Sequence, residues 1–140
     1  MQFVEKQRRR LGFALRGIHY ALRTDKSFRL QWYGVGSVIA FAIVILTPVT
    51  STELLFLVLS YFLILITELQ NSALEYALDH LHPETHDNIG RSKDMAAGAV
   101  FLAGLFLTVV IVTLLYTRVM SDLEASDIPS SPSQLETVAS

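Results

Sequence analysis

Residues 54–81 read LLFLVLSYFLILITELQNSALEYALDHL, and the change of character along this run decides the architecture. Its first part, Leu54 to Ile66, is apolar but too short to cross a hydrocarbon layer about 30 Å thick, which takes roughly 20 residues of helix. No Gly or Pro follows until Pro83. The helix is therefore expected to run on through Glu68 to about Leu81, carrying polar side chains at or near membrane depth. At about 100° per residue, Glu68, Asn71, Ser72, Glu75 and Asp79 fall within about 100° of one another and form one polar stripe. An ionisable group in a membrane helix costs at least a few kcal/mol, so the stripe has to face the bundle interior or a polar cavity. Asn71 and Ser72 alone could serve as interhelical hydrogen-bonding glue. Three carboxylates on one face fit that role poorly, because they repel one another unless cations are supplied.

Working outward, Trp32 to Val49 reads as a first span stopped by Pro48, with Trp32 and Tyr33 where an interfacial aromatic belt belongs. Thr50 followed by Glu53 is the pattern of a capping box opening the second helix. The segment from His80 to Ser92 is a polar loop, and Met95 to Thr117 is a third span. Upstream, Leu11, Leu15, Ile18 and Leu22 share one face of a helix predicted over Gln2 to Lys26, while Arg9, Arg16 and Arg23 recur on another. Such a helix suits the headgroup layer of an anionic membrane, or packing on its soluble side. The expected organisation is a surface helix over residues 1–29, a three-span domain over 30–118 and a disordered tail over 119–140, too polar to fold.

Composition agrees: of 140 residues, 51% are hydrophobic and 17% charged, with a mean hydropathy of +0.43, too apolar for an ordinary soluble domain. The basic start lacks the compact apolar stretch of a cleaved leader, so it is expected to stay in the mature chain. Lys and Arg crowd the first 31 positions and the loop carrying Arg91 and Lys93, whereas Thr47 to Thr52 has none. The N-terminus is thus expected in the cytoplasm and the C-terminus outside. With no cysteine, thiol redox chemistry and thiolate metal sites are excluded.

The carboxylates of the stripe, Lys93 and a hard divalent cation such as magnesium together fit phosphoryl transfer. No Walker A loop is present, so a nucleotide site would have to be built differently. His80, His82 and His86 with Asp79 and Asp87 lack the tight spacing of a transition-metal site. Small residues such as Gly34, Gly36, Ala97 and Gly98 allow close helix contact and self-association. A proton or ion pathway is the alternative of another class, although the chain lacks the inverted repeats and broken helices of transporters.

The stretch Glu68-Leu-Gln-Asn-Ser-Ala-Leu-Glu75 with Asp79, then Gly90-Arg-Ser-Lys-Asp-Met-Ala-Ala-Gly-Ala-Val100, resembles the signature of the small prokaryotic diacylglycerol kinases, a family that includes undecaprenol kinases. Gly12, Gly17 and the Phe28-Arg29 pair stand at the family's spacing, and the resemblance covers roughly Lys6 to Thr117. It implies an all-α membrane protein, a homotrimer with composite sites and an N-terminal surface helix, in the bacterial inner membrane. It also implies transfer of the γ-phosphate of ATP, with Mg2+, to the primary hydroxyl of a membrane lipid, and no nucleic-acid partner. Glu68 matches the family's catalytic base, and Glu75 and Asp25 its two metal-ligand carboxylates; the family usually has Glu at the second of these. Lys93 and Asp94 match the pair on the nucleotide phosphates. Glu84, Thr85 and His86 match the loop at the nucleotide's base end, near which Phe13 replaces an aromatic, and Lys6 stands for a family arginine. The Gly90-to-Met95 segment with His86 resembles the diacylglycerol branch. Ala96 to Val100 and Phe28 to Gln31 lean toward undecaprenol kinases. Diacylglycerol is the expected lipid, with phosphatidic acid as product.

Overall fold

A computed structural model describes residues 2–81 and 86–126, which form helices and no strand. Helix α1, Gln2–Thr24, stops where Asp25 turns extended and spends its side chain on the next helix. Its Oδ1 accepts the amides of Ser27 at 2.7 Å and Phe28 at 3.1 Å, an N-cap that begins α2, Lys26–Ile45. The apolar periodicity predicts one helix through Lys26; the chain breaks a residue earlier because a short carboxylate competes for backbone amides.

Within α2, residues Gln31–Val35 widen into a π turn. The Tyr61 hydroxyl donates to the Trp32 carbonyl there at 2.6 Å. A Cβ at Gly36 would lie 3.1 Å from that hydroxyl, so glycine makes room for it. The helix ends before Pro48, and Thr50 then opens α3, Ser51–Leu81. The expected capping box is present and reciprocal: Glu53 Oε2 accepts from Thr50 N at 2.7 Å, and Thr50 Oγ1 accepts from Glu53 N at 3.3 Å. The last helix, α4, covers Asp87–Ser126, 40 residues. It begins within the expected polar loop and extends past Ser121, where the sequence places the start of the tail.

Three of the helices, α2, α3 and α4, are long and apolar enough to cross a membrane. At about 1.5 Å per residue α4 spans roughly 60 Å, twice a hydrocarbon core, so both its ends project. The three spans meet at Ile39, Leu57, Ile64, Ala103, Leu107 and Val110. A second cluster of Ala21, Phe28 and Leu65 fastens α1 and the start of α2 to α3. Helix α3 alone buries Leu57, Ser60, Ile64, Leu65 and Glu68, which makes it central. At the end of the bundle away from Asp79, Arg118 donates to the carbonyls of Leu46 and Pro48 at 2.7 Å each, tying α4 to the end of α2.

Candidate active site

On α3 the buried positions Leu57, Ser60, Ile64 and Glu68 recur every three or four residues, and the same face continues into Asn71, Ser72, Glu75 and Asp79. The polar stripe is thus the continuation of the helix's packing face. Up to Glu68 the face is buried and apolar apart from Ser60, whose hydroxyl donates to the Phe56 carbonyl; beyond it the face is half-buried to exposed and turns acidic. Glu68 stands at the changeover, 3% exposed. A turn further on, Ser72 Oγ donates to the Glu68 carbonyl at 2.9 Å, and Asn71 Nδ2 donates to Glu75 Oε1 at 3.1 Å. Among the described residues no donor reaches the buried Asn71 carbonyl oxygen, so Asn71 orients Glu75 and keeps one acceptor unused.

Between α3 and the α1–α2 junction lies a cavity of about 900 Å³, with Thr24, Asp25 and Lys26 on one side and Ser72, Glu75 and Asp79 on the other. Partial burial pushes the Asp25 carboxyl up, but the Ser72 hydroxyl, the amides of Phe28 and Ser27 and the Arg29 guanidinium outweigh it and hold the group below the usual carboxylate range. At the rim Lys93 of α4 forms an ion pair with Asp79.

Asp25 and Glu75 come from different elements yet present hard oxygens to one cavity. Among the described residues no three His, Cys, Asp or Glu side chains converge on an ion. A donor set of two carboxylates is what magnesium takes when water and phosphate oxygens complete its shell. The cavity therefore fits a metal–phosphate complex better than a closed metal cage.

The structure brings Asp25, Ser72, Glu75, Asp79 and Lys93 together, with Asn71 behind Glu75 and Glu68 deeper in the packing. The other residues singled out from the sequence stand apart in the single chain. Lys6 and Phe13 are exposed on α1, the Phe13 ring lying 4.8 Å beneath the Arg16 guanidinium. His86 starts α4, its carbonyl accepting from Ile89 at 2.9 Å and Gly90 at 3.1 Å, and Asp94 is exposed. Glu84 and Thr85 lie outside the described residues. The cavity also takes in Tyr20, Lys26 and Tyr76, which the sequence did not single out. Read as one uninterrupted helix, the segment hid the corner at Asp25 that sets the exposed Lys26 at the cavity, and Tyr76 adjoins Glu75 one step off the stripe.

The signature of the family "Prokaryotic diacylglycerol kinase" matches residues 12–115. The chain is similar to the diacylglycerol kinase of Escherichia coli (strain K12), 30% identical over 107 residues that make up 76% of this chain and 86% of the relative. The Haemophilus influenzae diacylglycerol kinase is 30% identical over 97 residues, 65% of this chain and 75% of that one. The Pseudomonas aeruginosa diacylglycerol kinase is 32% identical over 104 residues, 74% and 83% of the two chains. With three apolar spans, a cavity lined by Asp25, Glu75 and Asp79, and a signature match over most of its length, the chain belongs to the prokaryotic diacylglycerol kinase family of membrane lipid kinases.

Proposed function

We propose that this membrane kinase transfers the γ-phosphate of ATP to the primary hydroxyl of diacylglycerol, giving phosphatidic acid and ADP. The observation that carries the reading is the buried carboxylate of Glu68 on the same helical face as the cavity shared by Asp25 and Glu75. Glu68 takes the hydroxyl proton as the lipid oxygen attacks the γ-phosphorus, and the bond to the ADP oxygen breaks. Asp25 and Glu75 would hold a magnesium ion, whose charge offsets that of the triphosphate. Lys93 contacts nucleotide phosphate with Asp94 beside it, exchanging its Asp79 partner for phosphate oxygens. Binding a lipid from the bilayer and a nucleotide from water calls for a site at the interface, and the stripe emerges from the apolar span at that level.

Glu84, Thr85 and His86, with Phe13 on α1 nearby, hold the nucleotide's base end, and Lys6 also serves the nucleotide. In the single chain Lys6, Phe13 and Asp94 are exposed and clear of the cavity lining, which supports completion of each site by a neighbouring copy in a homotrimer. The basic N-terminal segment supports a cytoplasmic N-terminus and an external C-terminus in the bacterial inner membrane.

Both diacylglycerol and undecaprenol offer a primary hydroxyl, so the residues of the transfer step do not tell them apart. Selectivity lies in the groove walls, where each methylene is worth only about 1 to 3 kcal/mol. Purified protein given labelled ATP and equal amounts of the two lipids should place most of the label in phosphatidic acid. Label mainly in the polyprenyl phosphate would replace the substrate and leave the transfer chemistry in place.

A further inference from the structure

The carboxylates facing each other across the cavity belong to separate elements: Asp25 sits between α1 and α2, and Glu75 is on α3. Their separation is set by how the α1–α2 junction docks on α3. On the membrane side that docking rests on the buried Ala21, Phe28 and Leu65 cluster, with Leu69 packed against it. Eleven positions beyond Leu65 along α3, and directly after Glu75, Tyr76 meets Tyr20 of α1 edge to face. Their ring centroids are 6.1 Å apart and the planes cross at 78°. Both rings line the cavity. Neither is a core residue, Tyr20 being 51% and Tyr76 67% exposed. Thr24 Oγ1 donates to the Tyr20 carbonyl at 2.8 Å within the last turn of α1, which joins Tyr20 to Asp25.

We propose that the Tyr20–Tyr76 pair is a positioning clasp that fixes Asp25 against Glu75, so that the two carboxylates act on a divalent cation as one site. The proposal rests on the reading of Asp25 and Glu75 as metal ligands. The cavity is held at two points along α3, by the Leu65 cluster on one side and by the tyrosine rings on the other. Without the second point, the end of α1 can swing about the first and the carboxylates part. Rings at this angle and distance attract through their quadrupoles, and that part of the contact persists when a hydroxyl is removed. Tyrosines that served only as cavity wall or nucleotide contacts would not need to touch each other.

The test is Mn2+ binding, followed by the electron paramagnetic resonance of the free ion, to the full-length protein in detergent, without lipid or turnover. Tyr20→Ala and Tyr76→Ala should each weaken binding about 2- to 10-fold, the range expected of one aromatic pair. The double alanine variant should be no weaker than either single one, because the second substitution has no partner left to lose. Tyr20→Phe and Tyr76→Phe should bind within about twofold of the wild type, since the ring pair survives. Additive losses in the double variant, phenylalanine variants as weak as the alanine ones, or unaltered binding in all of them would each overturn the clasp. Should an alanine variant not fold, Tyr76→Leu, which keeps apolar bulk without the ring, replaces it with the same expectation. Glu75→Gln separates the two ideas. If it binds Mn2+ as the wild type does, the metal-site reading fails and takes the clasp with it. If Glu75→Gln loses binding while the tyrosine variants do not, the clasp alone fails.

Discussion

Asp25 does two things with one short side chain. Its Oδ1 satisfies two backbone amides at the start of α2, while the residue lines the cavity opposite Glu75. Asp ranks among the best N-cap residues, which gives a reason for the shorter carboxylate where the resemblance leads one to expect glutamate. The roles come apart by substitution. Asp25→Asn keeps a capping oxygen and should leave unfolding within about 0.5 kcal/mol, while raising the magnesium concentration needed for half-maximal rate. Asp25→Ala should cost about 1 kcal/mol more and shift the magnesium response as well, both readable from denaturation and metal titrations. Because the folded chain holds the Asp25 carboxyl below its ordinary value, the contribution of its charge is fully present above about pH 4 and is lost as pH falls through the folded value. The stability difference between wild type and Asp25→Asn should therefore close on acidification below that range. The acidic stripe was legible because helical spacing alone collects Glu68, Asn71, Ser72, Glu75 and Asp79. The cap at Asp25 was not, because Leu22 and the arginines before it continue a helical period into a residue whose side chain breaks it.

Among the elements, legibility followed sequence distance. The capping box of Thr50 and Glu53 is complete within four residues and stood as expected. Thr50→Ala should cost about 1 kcal/mol, measured by thermal unfolding in detergent. The π turn at Gln31–Val35 had no local sign, because the Tyr61 hydroxyl that takes up its Trp32 carbonyl comes from another helix. Tyr61→Phe removes that donor and should destabilise by about 1 kcal/mol, with α2 tightening toward regular α-helix in amide-exchange measurements. The Arg118 bonds to Leu46 and Pro48 were hidden for the same reason, joining residues far apart in the chain. Helix limits also moved, since α4 begins at Asp87 and ends at Ser126, beyond the apolar run that marks its span.

For the whole molecule, the three spans follow from length and apolarity and are those of the structure. The proposed homotrimer is not written in one chain's spacing, and Lys6, Phe13 and Asp94 are exposed, clear of the cavity lining. Reporter fusions should find residue 140 outside and the N-terminus in the cytoplasm; a cytoplasmic C-terminus would contradict the topology drawn from Lys and Arg placement. The central claim is that a buried carboxylate beside an acidic cavity moves phosphate from ATP to lipid. Its most direct test is transfer of label from γ-labelled ATP to diacylglycerol by wild type and Glu68→Gln, with nucleotide affinity measured on the same samples. Wild type should label the lipid, and Glu68→Gln should do so about 10²- to 10⁴-fold more slowly while binding ATP nearly as well, as loss of a base requires. Near-normal transfer by Glu68→Gln, or no lipid labelled by the wild type, would contradict the account.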